Sequence, residues 1–363
     1  MNCSANLYTM KRITLSIFII LIHAGLLKAQ ESFSISGMVF NTKEEPIQGA
    51  SVFIDGSEKG TATNTKGEFK FSNLRPGTYH VIVSMIGYSS TKQNVIIQNQ
   101  SISLNIHLTE KLIVLREVVI GDDSQRKDNI KIFLKNFLGE SASAKKCTIL
   151  NLEILDFSTV KKILEATSDD FLIIENKSLG YRIKYLLRNF RYNRETGVTS
   201  YDGESVFENL TGTDSEKNTW NANRKKTYEG SLMHYLRALY KNRLEQDGFI
   251  TYEVMNSNQP LQLAPRPINM EQYINTVDSN FIQLQFKTRL YVVYGKEKAL
   301  KENNPDQKSG ITTWMDKNGS IMRLFLDNAI IDSKGSYVDY RSFFIRGFWG
   351  RKRIGDQLPF EYN

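Results

Sequence analysis

The stretch "GTATNTKGEFKFSNLRPGTYHVIVSMIGYSS", residues 60–90, decides the fold class. Its apolar residues alternate at period two, and turn-forming residues interrupt them at short intervals. Phe69 and Phe71 share one face, and Tyr79, Val81, Val83 and Met85 share another. That period belongs to half-buried strands. Between the runs, Gly67 in "NTKGEF" stands where a tight hairpin needs positive φ. Pro76 and Gly77 come in the order a type II turn prefers. Gly87 in "MIGY" reads as a bulge or bend.

The pattern continues outward on both sides. Phe33, Ile35 and Val39 mark an earlier strand, and Val52 and Ile54 another. Thr61–Asn64 is a short one. Val95 and Ile97 extend the series, and Ile102, Leu104, Ile106 and Leu108 close it. Seven strands, each with one inward face, require a second layer, so residues 31–110 are expected to form a β-sandwich. A domain of only about 80 residues has a marginal core, so it is expected to lean on a neighbour.

These residues also carry a family signature. G-x-V occurs at Gly37, P-I-x-G-A-x-V at Pro46–Val52, G-x-x-T at Gly60–Thr63, N-x-x-G-x-F at Asn64–Phe69 and G-x-Y at Gly77–Tyr79, followed by Ile86–Tyr88. The set resembles the carboxypeptidase regulatory-like domain, a transthyretin-like seven-stranded sandwich. Leu115–Asp122, "LREVVIGD", resembles the segment joining that domain to the plug of TonB-dependent outer-membrane transporters. The resemblance implies a bacterial envelope protein. It implies no chemistry, because the domain is generally non-catalytic.

The chain's start points to the same compartment. Lys11 and Arg12 precede the fifteen-residue, largely apolar run Ile13–Leu27, and Lys28-Ala29-Gln30 follows. A basic pair, a short apolar run and a small residue make a signal peptide over 1–29, with Met10 a possible start. The run is shorter than the roughly 20 residues of a spanning helix and contains His23. Export to the periplasm or an outer-membrane-associated site is expected, with no transmembrane helix in the mature chain. Loss of the leader removes three bases and no acids, and the formal charge falls from +8 to +5. That excess is dispersed and suggests no nucleic-acid partner. Cys3 leaves with the leader, so Cys147 is the one remaining thiol and no internal disulfide is expected.

The rest divides into a connector at 111–128 and a region at 129–363, expected to be α+β; the whole chain reads as mostly β. Ile130, Phe133, Leu134, Phe137 and Leu138 recur at helical spacing, with Asp128 or Asn129 as N-cap and Gly139 as stop. Ser231 can cap "LMHYLRALYKNRLE", ending near Gly248, and "SEKNTWNANRKKTYEG" reads as a shorter polar helix. Strands are expected near 148–155, 161–167, 171–176, 181–206, 248–255, 281–294, 311–316 and 320–326. Lys317-Asn318-Gly319 signals a hairpin between the last two. The blocks "FLGESASAKKCTILN", "LIIENKSLGYRIKYLL", "WNANRKKTYEGSLMHYLRALY" and "GFWGRKRIGDQLPFEY" resemble segments of envelope proteins that pair the same sandwich with a domain of unassigned role.

No nucleotide, dinucleotide or nucleophile-elbow motif is present, and no cofactor is expected. His107 and Glu110 spell H-x-x-E, but residues three apart on a strand face opposite ways, so no metal site is expected there. The best local candidate is a ligand site made by Trp220, Asn223, Arg224, Tyr228, His234 and Arg237. Paired helices would gather an indole, an amide, two guanidiniums and an imidazole, a set suited to a carboxylate, phosphate or sugar. The same set also suits a polar network that holds two helices on a sheet. The leading expectation is a non-enzymatic envelope protein acting through binding or assembly, with an envelope protein or a carbohydrate or peptide as partner. An envelope hydrolase with its site at that cluster and a small outer-membrane β-barrel, suggested by the alternation in "YRIKYLLRNFRY", are the alternatives.

Overall fold

The structure is a computed structural model that describes residues 32–111, 123–256, 258–295, 311–313, 315 and 317–362. The expected leader at 1–29 and the transporter-like segment Leu115–Asp122 lie outside these residues.

The N-terminal unit is the expected sandwich. Its strands are β1 (Phe33–Phe40), β2 (Ser51–Ile54), β3 (Gly60–Ala62), β4 (Glu68–Leu74), β5 (Gly77–Ser84), β6 (Thr91–Ile97) and β7 (Ile102–His107). One sheet has the order β4-β1-β7, with β1 and β7 parallel; the other has the order β3-β2-β5-β6. Ile35, Val39, Val52, Ile54, Phe69, Phe71, Val81, Val83, Ile106 and Leu108 fill the space between them. Alternation predicts that the other side of each strand is wet, and β5 departs from this. Thr78 through Val83 are all buried, and Phe53 on β2 is only 2% exposed although it points away from the sandwich core. The outer face of this sheet is covered by the rest of the chain.

That remainder is α+β. It begins with α1 (Asp123–Leu138), followed by β8 (Cys147–Ile149), β9 (Leu155–Val160), β10 (Ile163–Ser168), β11 (Phe171–Asn176), β12 (Tyr181–Asn193) and β13 (Thr199–Asn209). Long β12 pairs along one edge with β13, and along the other with β11 and then β10. Phe133 and Phe137 of α1 stack on each other and pack on Phe190, Tyr185, Ile174, Ile183 and Phe207 of this sheet. Helices α2 (Asp214–Tyr228) and α3 (Leu232–Tyr240) come next. Then follow β14 (Phe249–Val254), β15 (Leu261–Leu263), β16 (Ile274–Thr276), β17 (Phe281–Leu284), β18 (Arg289–Tyr294), β19 (Ile311–Thr313), β20 (Gly319–Leu324), β21 (Ala329–Asp332), β22 (Phe343–Gly347) and the short α4 (Phe348–Arg351). These strands form one sheet of order β19-β15-β14-β18-β20-β22 and another of order β16-β17-β21. Tyr235, Leu236 and Leu239 of α3 join both to a core with Phe249, Leu284, Leu290, Met322, Ile331 and Trp349.

Several local expectations are corrected. Asp128 and Asn129 lie within α1, not at its cap. The strand expected at 148–155 is broken by a 3-10 turn at Leu152–Ile154, after which β9 begins. The run 181–206 is a hairpin of β12 and β13, and 281–294 is two strands. Helix α3 stops at Tyr240 because Asn242 takes a left-handed φ of 51°. Helix α2, expected to be the shorter of the two, has 15 residues against nine for α3. Among the described residues the hairpin expected at Lys317–Gly319 does not form, since β19 pairs with β15 while β20 pairs with β18 and β22. Each sheet of the described residues is open, with no closed barrel among them.

The seam between the two units has an apolar centre and a polar margin. Phe53 and Ile82 of the sandwich pack on Leu186 and Val206, with Phe171 edge-on to Phe53 at 5.4 Å. The turn after β2 then runs along β13 like an added strand. Gly56 N–H donates to Ser205 O, and Phe207 N–H donates to Ser57 O, both at 2.8 Å. Ser205 N–H donates to Asp55 Oδ1 at 2.7 Å. On the far side, fully buried Asp332 accepts Thr78 N–H at 2.9 Å and the Lys334 ammonium at 2.7 Å. The C-terminal segment closes the seam, with Phe360 N–H donating to Gly56 O at 2.8 Å. Gly56 has φ +69°, and a Cβ there would stand 2.7 Å from the Phe360 ring.

Candidate functional site

The six candidate residues sit on α2 and α3, and the structure divides them into two groups. Helix α2 begins with a capping box: Thr213 Oγ1 accepts Glu216 N–H at 3.3 Å, and Glu216 accepts Thr213 N–H at 2.8 Å. One face of the helix then meets the tight turn between β11 and β12. Trp220 Nε1 donates to Lys177 O at 3.1 Å and Asn223 Nδ2 to Ser178 O at 2.9 Å. Arg224 Nε donates to Leu179 O at 2.7 Å, and Arg224 Nη2 to Gly180 O at 3.1 Å. Three side chains thus bond four successive carbonyls. The turn presents them because Asn176 Oδ1 accepts the N–H groups of Ser178 and Leu179. Gly180, at φ +68°, leaves room for the indole, whose ring carbons would otherwise meet a Cβ. The Arg224 guanidinium lies 3.8 Å from the centre of the Tyr181 ring.

The second group is Tyr228, His234 and Arg237. Ser231 caps α3 by accepting His234 N–H at 3.1 Å. His234 Nδ1 accepts Gly230 N–H at 3.1 Å, and its ring packs on Tyr228 at 4.7 Å. Burial lowers the His234 pKa against the opposing charge of Asp247, whose carboxylate is 3.8 Å from Nε2. The imidazole is therefore neutral, with its proton on Nε2. Nδ1 is already engaged, so Ser231 and His234 do not form a nucleophile–base pair. Arg237 is 6% exposed and donates to Lys334 O at 2.8 Å, Tyr362 O at 2.6 Å and Phe360 O at 3.0 Å. Each guanidinium is thus committed to backbone carbonyls: Arg224 fixes a turn and Arg237 fixes the chain's last described residues.

His107 bonds Glu44 at 3.1 Å and stacks on Phe40, while Glu110 pairs through its backbone with Tyr88. The H-x-x-E spacing does not bring its two side chains together. Among the described residues no three His, Cys, Asp or Glu side chains gather as metal ligands. Cys147 has a thiol pushed up to about 12 by burial, which suppresses the reactive thiolate.

A cleft of about 650 Å³ opens beside Trp220, between the first turns of α2 and the outer face of β11–β13. Glu175, Arg182 and Glu208 lie in register across its floor on three adjacent strands. The alternation in "YRIKYLLRNFRY" puts Arg182 on one face of its strand, but its acidic partners on either side come beside it only through the order β11-β12-β13.

Residues 35–120 match the CarboxypepD_reg-like domain family. The N-terminal sandwich is a CarboxypepD_reg-like domain. The TonB-dependent receptor SusC of Bacteroides thetaiotaomicron is 30% identical over 115 residues, covering 31% of this chain and 11% of that receptor. The chain therefore matches about a tenth of the length of this curated relative. Among solved structures, 3-chlorocatechol 1,2-dioxygenase from Rhodococcus opacus 1CP overlaps 24% of this chain and 62% of its own, at 10% identity and a TM-score of 0.20. A streptococcal ancillary pilin overlaps 23% of this chain and 33% of its own, at 13% identity and the same TM-score of 0.20. Overlaps of that size carry no argument about fold or chemistry.

Proposed function

We propose that this protein is exported to the cell envelope and acts by binding or assembly without catalysis, its CarboxypepD_reg-like domain serving as an interaction module. The observation that carries this reading is the commitment of the Trp220–Arg237 cluster. Its indole, amide and guanidinium donors bond the chain's own carbonyls, and its imidazole nitrogen holds a backbone N–H. Such a cluster holds a scaffold in shape; a reacting group needs a free donor or base. The similarity of about a third of the chain to part of a TonB-dependent receptor supports the envelope as its place of action.

Fractionation of cells expressing the tagged full chain tests location, and single substitutions test the role of the cluster. The expected result is recovery in the envelope fraction, with Arg224→Ala and His234→Ala lowering the unfolding temperature while cross-linked envelope partners persist. Recovery in the cytosol would contradict the reading. So would a hydrolytic activity that either substitution abolishes without loss of stability.

A further inference from the structure

We infer that the cleft between α2 and the outer face of β11–β13 binds a neutral oligosaccharide. The inference rests on reading the chain as a binding protein and names the chemistry of one ligand. A volume of about 650 Å³ suits a small-molecule site. Its floor is a cross-strand row in which Arg182 lies between Glu175 and Glu208. Arg182 Nη2 donates to Glu175 at 2.6 Å, and Lys184 holds Glu208 at 2.5 Å. Arg182 Nε has no acceptor in the structure, and the side chain is 42% exposed. The exposed edge of the guanidinium can donate to an arriving hydroxyl oxygen.

The walls select among ligands that bring such an oxygen. Thr211, Ser215 and Thr219 place hydroxyls along one side, and Asn209 and the edge of Trp220 close the end. Glu175, Glu208 and Glu216 face a phosphate or a uronic acid with like charge, while Lys177 and Arg182 do the same to a basic peptide. Hydroxyl groups both donate and accept, so a neutral polyol can engage carboxylates and guanidinium at once without adding a charge. The indole edge supplies an apolar contact for a sugar's C–H groups.

The full chain should be screened against immobilised neutral gluco- and galacto-oligosaccharides, hexuronate-containing oligosaccharides, and acidic and basic peptides. The best binder is then measured by calorimetry. The expected binder is a neutral oligosaccharide that Arg182→Leu weakens at least about tenfold, the worth of one hydrogen bond to a charged group. Ser215→Trp fills the cleft from an exposed helix position. It should abolish binding and leave the unfolding temperature unchanged. The inference fails if none of the neutral saccharides binds at millimolar concentration, if a charged saccharide or a peptide binds better, or if both variants bind like the wild type. Chromatography of the saccharide after incubation separates the two claims. Cleavage would overturn the non-catalytic reading and leave the ligand class standing, whereas envelope recovery with no saccharide bound would do the reverse.

Discussion

Replacing Phe53 by alanine should undock the sandwich without damaging its own core. Phe53 lies on the outer face of the four-stranded sheet, 2% exposed, among Ile82, Leu186 and Val206 and edge-on to Phe171. Burial of a phenyl group contributes about 1.5–3 kcal/mol, and an aromatic pair adds about 0.5–1.5 kcal/mol. Buried Phe→Ala changes cost about 3–5 kcal/mol in practice, because a cavity also remains. A loss of that size is a large fraction of the roughly 5–15 kcal/mol that holds a domain folded. All three tryptophans lie beyond residue 111, so indole fluorescence reports only the second region, whereas far-UV circular dichroism reports both. In the wild type the two urea transitions should coincide. In Phe53→Ala they should separate, with the sandwich unfolding at lower urea. Coincident transitions with a midpoint close to wild type would refute a seam held by apolar burial.

Further outcomes follow from buried polar groups. Arg237→Ala should cost about 3–5 kcal/mol by stranding three carbonyls, and Arg237→Lys should recover only part of it because an ammonium lacks the fork; faster tryptic cleavage after Lys352 and Arg353 would register release of the tail. Burial raises the pKa of Asp55 from 3.8 and of Glu204 from 4.5 at the seam. The folded state therefore holds protons that the unfolded state releases, so these groups lower stability as pH rises from those ordinary values through the raised ones. His80 and His234, whose pKa values burial lowers from 6.5, act in the opposite sense, so the informative comparison is between variants. Asp55→Asn keeps an acceptor for Ser205 N–H, and its stability relative to wild type should rise as pH climbs above 3.8; a constant difference in urea midpoints would contradict this. Cys147, its thiol pushed up to about 12 by burial, should resist iodoacetamide until the protein unfolds, as read by mass spectrometry.

The sandwich was legible because each strand buries one face in its own core, leaving a period-two signature in Ile35, Val39, Phe69, Phe71 and their partners. The docking of that sandwich was written in the same strands but out of phase. Phe53 and Ile82 are buried apolar residues on faces that alternation assigns to water. In the second region local signals located elements better than they set their ends. Asn242 stopped α3 early, and Lys317–Gly319 joined no hairpin because β15 and β18 claimed the two strands. Trp220, Asn223 and Arg224 share one face of α2, but their partners are carbonyls of residues 177–180, and no side-chain pattern encodes carbonyl positions. The cleft was hidden for a related reason: Glu175, Arg182 and Glu208 become neighbours only through strand order.

The central claim is that the CarboxypepD_reg-like domain and the region after it share one hydrogen-bonded seam. Residue-resolved hydrogen exchange on the full chain tests it at the amides of Gly56, Thr78, Ser205, Phe207 and Phe360, each of which donates across that seam. Protection of all five comparable to that of core amides such as Val81 and Ile183 is the predicted result. Exchange of these five as fast as that of an exposed loop, with the two cores still protected, would contradict it.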